Sequence, residues 1–322
     1  MNFPLFQPIQ AEMEAMNNRY REILSCKDEK IGRYVDYVLE KLGKQIRPAI
    51  VFLSAAICGK ITENTYQTAL ALEMLHASSL IHDDVVDEGT IRRNAPSVNA
   101  AFGNQKAVLI GDYLLSKCIN MVVNAKDEKL LKTISDLAQA MTEGELLQLS
   151  NKEVNQLSKE VYFKMIERKT ALLFAACFQL GARSAQISES ETEKWQQIGL
   201  EFGLFFQICD DLSDFDSKVK TLKDSHKDII EHKITLPLVL ALQNCNQIEK
   251  KSLLNLYINH HGTEEEIAAI VEKVKEKGGT DATLQCIKEK KTEIDKFLNS
   301  FSTTQYQKCF LQLTDYMLKT VE

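Results

Sequence analysis

Between Pro96 and Pro237 the chain carries no proline at all. A sheet protein with ordinary turns does not sustain such a stretch, because its short strands are punctuated by proline and glycine. Apolar residues recur at helical spacing throughout, so the chain is predicted to be all-α. Helices are expected over residues 9–24, 30–42, 49–58, 62–87, 106–124, 129–150 and 162–180. A Ser190/Glu193 capping box should open the helix leading to Gln207, Thr235-Leu236-Pro237 should start another, and a Thr263/Glu266 box one more. No Pro/Gly/Ser-rich linker and no shift in composition divides the 322 residues, which predicts one domain, 1–322.

Two of these helices end in acid. Asp83-Asp84-Val85-Val86-Asp87 and Asp210-Asp211-Leu212-Ser213-Asp214 hold the only two Asp-Asp pairs and share one spacing. On a helix, Asp83 lies over Asp87 and Asp210 over Asp214, with Asp84 and Asp211 alongside. Carboxylates at a helix C-terminus repel the partial negative charge there and one another, so a cation is implied. Oxygen ligands without nearby His or Cys suit Mg²⁺, which binds through a few carboxylates plus waters and substrate phosphates. A solvent-facing acidic cap explains one such cluster, but not two on apolar helices.

Basic groups gather near both clusters. Gly43-Lys44-Gln45-Ile46-Arg47-Pro48 reads as a tight interhelical turn, with Gly43 at a C′ position and Pro48 in the next first turn, presenting Lys44 and Arg47. His76 lies two turns before Asp83 on the same face, and Arg92-Arg93 follow the first cluster. Guanidinium forks bind phosphate bidentately, the alternative being a salt bridge to the aspartates. Lys169, between Arg168 and Thr170 in an apolar helix, needs an anionic partner. After the second cluster, Lys218, Lys220, Lys223, Lys227 and Lys233 mark either a lid that closes on anions or a solvated connector. His260-His261 before Gly262 reads as a helix-end cap rather than a metal site.

The net charge of −6 excludes a basic nucleic-acid footprint. Eight cysteines, scattered singly with no C-x-x-C pair, read as reduced thiols of a cytoplasmic protein. No targeting segment is expected, nor any apolar run near the length of a membrane span. There is no Cys-His or Ser-His pair at the site and no P-loop. Two metal-competent clusters, surrounding Lys/Arg groups and apolar helices fit a substrate with a charged phosphate head and a long hydrocarbon tail.

Together these motifs resemble those of the trans-isoprenyl diphosphate synthases, or polyprenyl synthetases. The turn 43–48, Glu73 with His76, the Asp83 cluster with Arg92-Arg93, Lys169-Thr170, Gln207, the Asp210 cluster and Lys233-Ile234-Thr235-Leu236-Pro237 fall in that family's order over about residues 40–240. The resemblance implies one large isoprenoid-synthase helical bundle around a central cavity. It implies that Asp83, Asp84, Asp87, Asp210, Asp211 and Asp214 bind Mg²⁺, three ions with substrate bound, the two clusters facing each other across the bundle. Arg92, Lys169, Thr170, Gln207, Lys223 and Lys233 would hold an allylic diphosphate, and Lys44, Arg47, His76 and Arg93 isopentenyl diphosphate. The allylic C–O bond then ionises, the isopentenyl double bond attacks the cation, and a proton leaves, with no protein nucleophile. A homodimer is implied by the same resemblance.

One departure is visible: Leu222, His226 and His232 stand where the family usually has lid glycines. Ser79 and Ser78, small residues four and five positions before Asp83, leave the pocket below the first cluster open where short-chain members often carry an aromatic plug. Leu75 and Leu72 lie deeper, with Cys118, Met121 and Val122 on the opposite wall. A helical turn rises about 5.4 Å, close to one isoprene unit, so the product is expected to be long-chain. The alternatives are a geranylgeranyl or farnesyl diphosphate synthase, a class I terpene cyclase, which would lack the second Asp-rich motif, and an inactive helical subunit, which would have lost one cluster.

Overall fold

The computed structural model describes residues 4–150, 158–215 and 226–322. Helices account for the fold except for one two-stranded hairpin, as the missing prolines require. The chain divides into two compact units that share its length. One comprises Met1–Ala138, Ala176–Gln196 and Thr303–Phe310, the other Gln139–Ala175, Gln197–Ser302 and Leu311–Glu322.

In the first unit, α1 (Gln10–Leu24), α2 (Glu29–Leu39) and α3 (Ile46–Cys58) precede α4 (Glu63–Val86), which ends in the first acid cluster. Residues Ala69 to Leu75 of α4 are all buried, so this helix is apolar on every side because it is covered on every side. The hairpin β1 (Ile91–Arg92) and β2 (Ala95–Pro96), the short α5 (Val98–Phe102), α6 (Asn104–Ala125) and the start of α7 (Glu128–Ser150) follow. α6 lies along α4, where Ser78 Oγ donates to Gly111 O at 2.9 Å and Cys118 Sγ to Ala71 O at 3.3 Å. Gly111 permits this approach, since a Cβ there would stand 2.3 Å from His82 Nε2.

α6 corrects one expectation. At 22 residues it is long and apolar enough, by length and composition, to cross a membrane. Here one face packs on α4, while Val108, Leu109, Ile119 and Val123 are exposed along a single opposite stripe.

In the second unit, α8 (Lys159–Ile166) continues through one π-helical turn, Glu167–Ala171, into α9 (Leu172–Ser184), whose residues from Ala176 on belong to the first unit. The single regular helix expected over 162–180 is therefore interrupted, in the way π-bulges often interrupt helices at functional sites. α10 (Glu189–Phe215) carries the second cluster, and α11 (Lys227–Ile230), α12 (Leu236–Gln243), α13 (Gln247–Asn259), α14 (Glu264–Glu276), α15 (Gly279–Leu298) and α16 (Gln305–Lys319) complete the chain. Phe215, Ile229, Leu238, Leu253, Tyr257 and Ile270 form a hydrophobic core within this unit.

The caps test local readings closely. The Thr263/Glu266 box is present. The box opening α10 is Ser188/Glu191, two residues before the expected Ser190/Glu193, because Ser188 Oγ accepts the Glu191 N–H and Glu191 reaches back to the Ser188 N–H. Gly43 is not a C′ residue, since α2 already ends at Leu39.

Candidate active site

In the first unit the acid cluster sits on the last turn of α4. Asp84 is buried and accepts from Arg92 Nε at 2.6 Å. Asp83 and Asp87 are half-buried one turn apart. The hairpin supplies the arginines: Ile91 pairs with Pro96 and Arg92 with Ala95, and the two turn residues, Arg93 and Asn94, both have positive φ, the backbone of a type I′ turn. Asn99 Nδ2 ties the hairpin base to α4 by donating to Asp84 O and Gly89 O.

The turn throws Arg93 back across the chain, where its Nη1 donates to Lys41 O at 2.6 Å. Gly43 makes room for it: a Cβ there would lie 2.4 Å from Arg93 Cζ. This close approach, and not a helix cap, is why glycine stands at 43. Next to it Gln45 is left-handed (φ 49) and exchanges paired amide bonds with Asn17, which fixes the turn carrying exposed Lys44 and half-buried Arg47.

Arg47 Nη1 donates to His76 Nε2 at 2.9 Å, so the imidazole proton is on Nδ1. Burial holds His76 well below the usual histidine range, and the charges of Arg47, Arg93 and Arg92 depress it further. Glu73, one turn before, is buried; desolvation raises its pKa and the Arg47 and Arg93 charges oppose that rise. His76, Glu73, Asp84, Arg92 and Arg93 line one pocket whose other wall is Tyr37, Val38 and Leu42 of the α2 end. The unit thus gathers His76, Arg92 and Arg93 around one cavity, with Arg47 bonded to His76. It can receive an anion through two guanidinium groups and a neutral imidazole N–H.

In the second unit the π turn sets Lys169 and Thr170 between α7 and α10. Gly144 allows α7 to approach, since a Cβ there would meet Lys169 N at 2.9 Å, and Gly203 allows α10, with Ala171 Cα at 2.4 Å. Lys169 Nζ pairs with Glu145 at 2.5 Å and donates to Gln148 Oε1 at 2.9 Å, so the anionic partner the sequence demands is supplied by the protein itself. Thr170 Oγ1 donates to Gln207 Oε1 (2.7 Å), Gln207 Nε2 to Asp211 Oδ1 (2.8 Å), and Tyr162 Oη to Asp211 Oδ2 (2.6 Å). Both oxygens of buried Asp211 are therefore occupied by protein donors, while Asp210 is exposed and Asp214 half-buried.

Burial pushes Asp211 up to about 7 against the bonds from Tyr162 and Gln207, and the Asp210 charge adds to the rise. Asp214 Oδ2 accepts the Asp228 N–H at 2.8 Å. Asp228 is raised well above the usual range by burial, then by the Asp211 and Asp214 charges, with Lys233 opposing. Lys233 pairs with Glu231 at 2.5 Å. Such crowding of carboxylates fits a divalent cation, which would favour their charged forms. Among the described residues, no three His, Cys, Asp or Glu side chains converge into a ready metal site.

Lys223 and Leu222 lie outside the described residues. Three partners were not read from the sequence. Tyr162 looks like an ordinary core aromatic of an apolar helix, and nothing in its pattern reveals its hydroxyl's partner. Asp228 is one acid in a lysine-rich stretch, and Glu145 one of two in Glu143-Gly144-Glu145, where the intervening glycine was the available sign of close packing.

The polyprenyl synthetase family model matches residues 28–274, which include every candidate site residue. The chain belongs to the polyprenyl synthetase family. As a member it is an enzyme that transfers prenyl groups, and the resemblance read from the motifs is correct. An all-trans-nonaprenyl-diphosphate synthase of Rhodobacter capsulatus is 32% identical over 325 residues, covering 99% of this chain and 98% of that protein. A polyprenyl synthase of Caulobacter crescentus CB15, solved with calcium and isoprenyl diphosphate, superposes with a TM-score of 0.88 at 28% identity, covering 98% and 96% of the two chains. A geranylgeranyl pyrophosphate synthase of Bacteroides thetaiotaomicron gives 0.81 at 32% identity, covering 97% of each chain. This synthetase accordingly has the all-α isoprenoid-synthase fold.

Proposed function

We propose that the chain condenses isopentenyl diphosphate with an allylic diphosphate to build a long all-trans polyprenyl diphosphate, and that residues 1–322 act as a single catalytic domain. The observation that carries this reading is the pocket lined by His76, Arg92 and Arg93, with Arg47 bonded to His76. It provides an anion site beyond what one allylic diphosphate needs, and a terpene cyclase has no use for it. Lys44, Arg47, His76 and Arg93 bind isopentenyl diphosphate. Lys169, Thr170, Gln207 and Lys233, with Arg92 and Lys223, bind the allylic diphosphate.

Asp83, Asp84, Asp87, Asp210, Asp211 and Asp214 would hold Mg²⁺, three ions in the substrate complex; Asp84 and Asp211 are the buried members, paired with Arg92 and with Tyr162 and Gln207. When bound, Mg²⁺ neutralises the departing diphosphate. Arg92, Lys169 and Lys233 add positive charge there, exchanging their present carboxylate partners for phosphate oxygens. Neutral His76 keeps a donor at Nδ1 for the second diphosphate without adding a charge beside Arg47.

A long product is supported by the nonaprenyl-type relative and by the absence of an aromatic at Ser79. Of the two serines, Ser78 is turned into the α4–α6 seam by its bond to Gly111 O, and Ser79, half-buried with its hydroxyl on His76 O, is the one available to a chain. A homodimer is supported by the exposed stripe Val108, Leu109, Ile119 and Val123 on α6, apolar surface that association would remove from water. A cytoplasmic setting is supported by eight cysteines that are all free thiols.

The test is incubation with Mg²⁺, labelled isopentenyl diphosphate and farnesyl diphosphate, with dephosphorylated products resolved by length. A ladder beyond C20 is expected. A stop at C20 would replace the long-chain reading with a geranylgeranyl synthase, and no elongation from any allylic starter would sink the proposal.

A further inference from the structure

His226 and His232 both adopt left-handed backbone, with φ of 59° and 55°. Glycine is the usual occupant of such positions, and a histidine there needs something that holds it. For His232 the structure shows what that is. Its Nδ1–H donates to Tyr257 O at 3.1 Å, and its ring lies over that of His260 with centroids 4.2 Å apart and planes tilted by 36°. His260 is buried, donates Nε2–H to Ile229 O at 2.9 Å and accepts the Gly262 N–H at Nδ1 at 3.1 Å. Tyr257 packs edge-on to both rings, and its hydroxyl donates to Lys233 O.

Every one of these bonds ends on the segment 226–233 or on the turn that faces it. That segment carries Asp228, whose N–H reaches Asp214, and Lys233, whose N–H is bound by Asp228 O at 2.7 Å. We propose that His232, His260 and Tyr257 are positioning residues, an acid-labile clip that holds the 228–233 segment and its anion-binding lysine in place while the doubly hydrogen-bonded His260 ring is neutral. The functional half of this inference rests on the reading of Lys233 as a diphosphate contact; the structural half does not.

The carbonyl partners fix both tautomers. His260 has no free nitrogen: a proton on Nδ1 would face the Gly262 N–H and a second imidazole at stacking distance. Burial and the neighbouring His232 lower its proton affinity accordingly. The other charged or titratable groups around the pair are Asp228, Glu231 and Lys233 on the same segment, Tyr257 from α13, His261, and Glu266 from α14. Asp228, raised by burial, works in the opposite sense by favouring the closed segment in acid, and it does so equally in wild type and variant, so the difference between the two proteins reads the imidazole alone. Glu266 is held at about 2 by N–H and hydroxyl donors from His261 and Thr263, so its charge is constant where His260 titrates. In an opened segment His260 takes a proton at the ordinary histidine pKa while in the closed one it resists it, so acid favours opening, by up to about tenfold per pH unit once the closed form lags.

The experiment is amide hydrogen exchange of the full enzyme at about pH 7.5 and about pH 5.5, corrected for intrinsic rates, in the wild type and in His260→Asn. Asparagine keeps an acceptor for the Gly262 N–H and an amide donor toward Ile229 O, but takes no proton. Expected is a gain in exchange of at least about fivefold at the lower pH across 226–233, with 236–243 unchanged, and no such gain in His260→Asn. The same exchange in both proteins, or a gain spread evenly over 226–243, overturns the clip. In turnover, KM for the allylic diphosphate should rise on acidification in the wild type more than in the variant, while KM for isopentenyl diphosphate follows one curve in both. If exchange behaves as expected but no prenyl transfer is found, the clip stands and the assignment of Lys233 fails.

Discussion

Replacing Tyr162 by Phe removes one oxygen and almost nothing else, because the ring is fully buried and stays in place. What is lost is the 2.6 Å bond to Asp211 Oδ2. Tyr162 is itself raised well above the usual phenol range, by burial and then by the Asp211 charge, so it is a donor at every working pH. Asp211, at about 7, is not constant: it is a neutral acid in mild acid and a carboxylate in mild base. A bond to a neutral acceptor contributes about 0.5–1.5 kcal/mol and one to a charged acceptor about 1.5–3 kcal/mol. The destabilisation should therefore grow with pH, by roughly 1–2 kcal/mol between about pH 5.5 and about pH 8.5.

For a chain of this size unfolding as one unit, 1 kcal/mol corresponds to about 1.5 °C in Tm. Melts of the metal-free protein should show the variant about 1–2 °C below wild type in acid and about 3–4 °C below it in base. Without its donor the buried carboxylate should also ionise later, moving the acidic limb of the kcat profile to higher pH. Equal Tm differences at the two pH values would refute the reasoning, because they would mean that the hydroxyl does not serve the ionised form.

Gly43→Ala should displace only the far end of Arg93, so KM for isopentenyl diphosphate should rise about three- to tenfold with Tm nearly unchanged, as a fraction of one charge-assisted bond implies. Gly203→Ala meets backbone, with Ala171 Cα at 2.4 Å. It should cost about 1–3 kcal/mol in a urea melt and lower kcat through the displaced Lys169-Thr170 turn. Ser79→Phe should shorten the product ladder, and unchanged products would reject Ser79 as a wall of the chain-binding pocket. In metal-free protein the raised Asp211 favours folding below the unfolded carboxylate pKa of about 4, and that contribution is lost as pH rises through about 7; Asp228, also raised, acts in the same direction. Tm should fall over that window, and Mg²⁺ with inorganic pyrophosphate should flatten the fall.

Much of this site is legible before any coordinates because its groups are carried by local rules. An i/i+4 acid pair at the end of an apolar helix is a statement about one helix, and so is His76 two turns before Asp83. The turn 43–48 was located correctly, yet the reason for Gly43 was misread, because its neighbour Arg93 is far along the chain. The Ser190/Glu193 box failed for a related cause: two overlapping Ser/Glu pairs satisfy the same pattern, and the packing of the apolar face of α10 decides the register. The π turn at 167–171 leaves no mark in periodicity, as it depends on Gly144 and Gly203 letting two other helices crowd the same backbone.

The sequence by itself determined the helical class, the two carboxylate clusters, most of the cations near them and the kinship they imply, since each follows from spacing within one element. Only the tertiary structure decided how each carboxylate is surrounded. Asp84 is buried against Arg92 from the hairpin and Asp211 against Tyr162 from α8, while Asp83 is half-buried and Asp210 exposed. The difference is burial and partner geometry across distant parts of the chain, and identical side chains in one short motif acquire different chemistry only when the fold sets them in different surroundings.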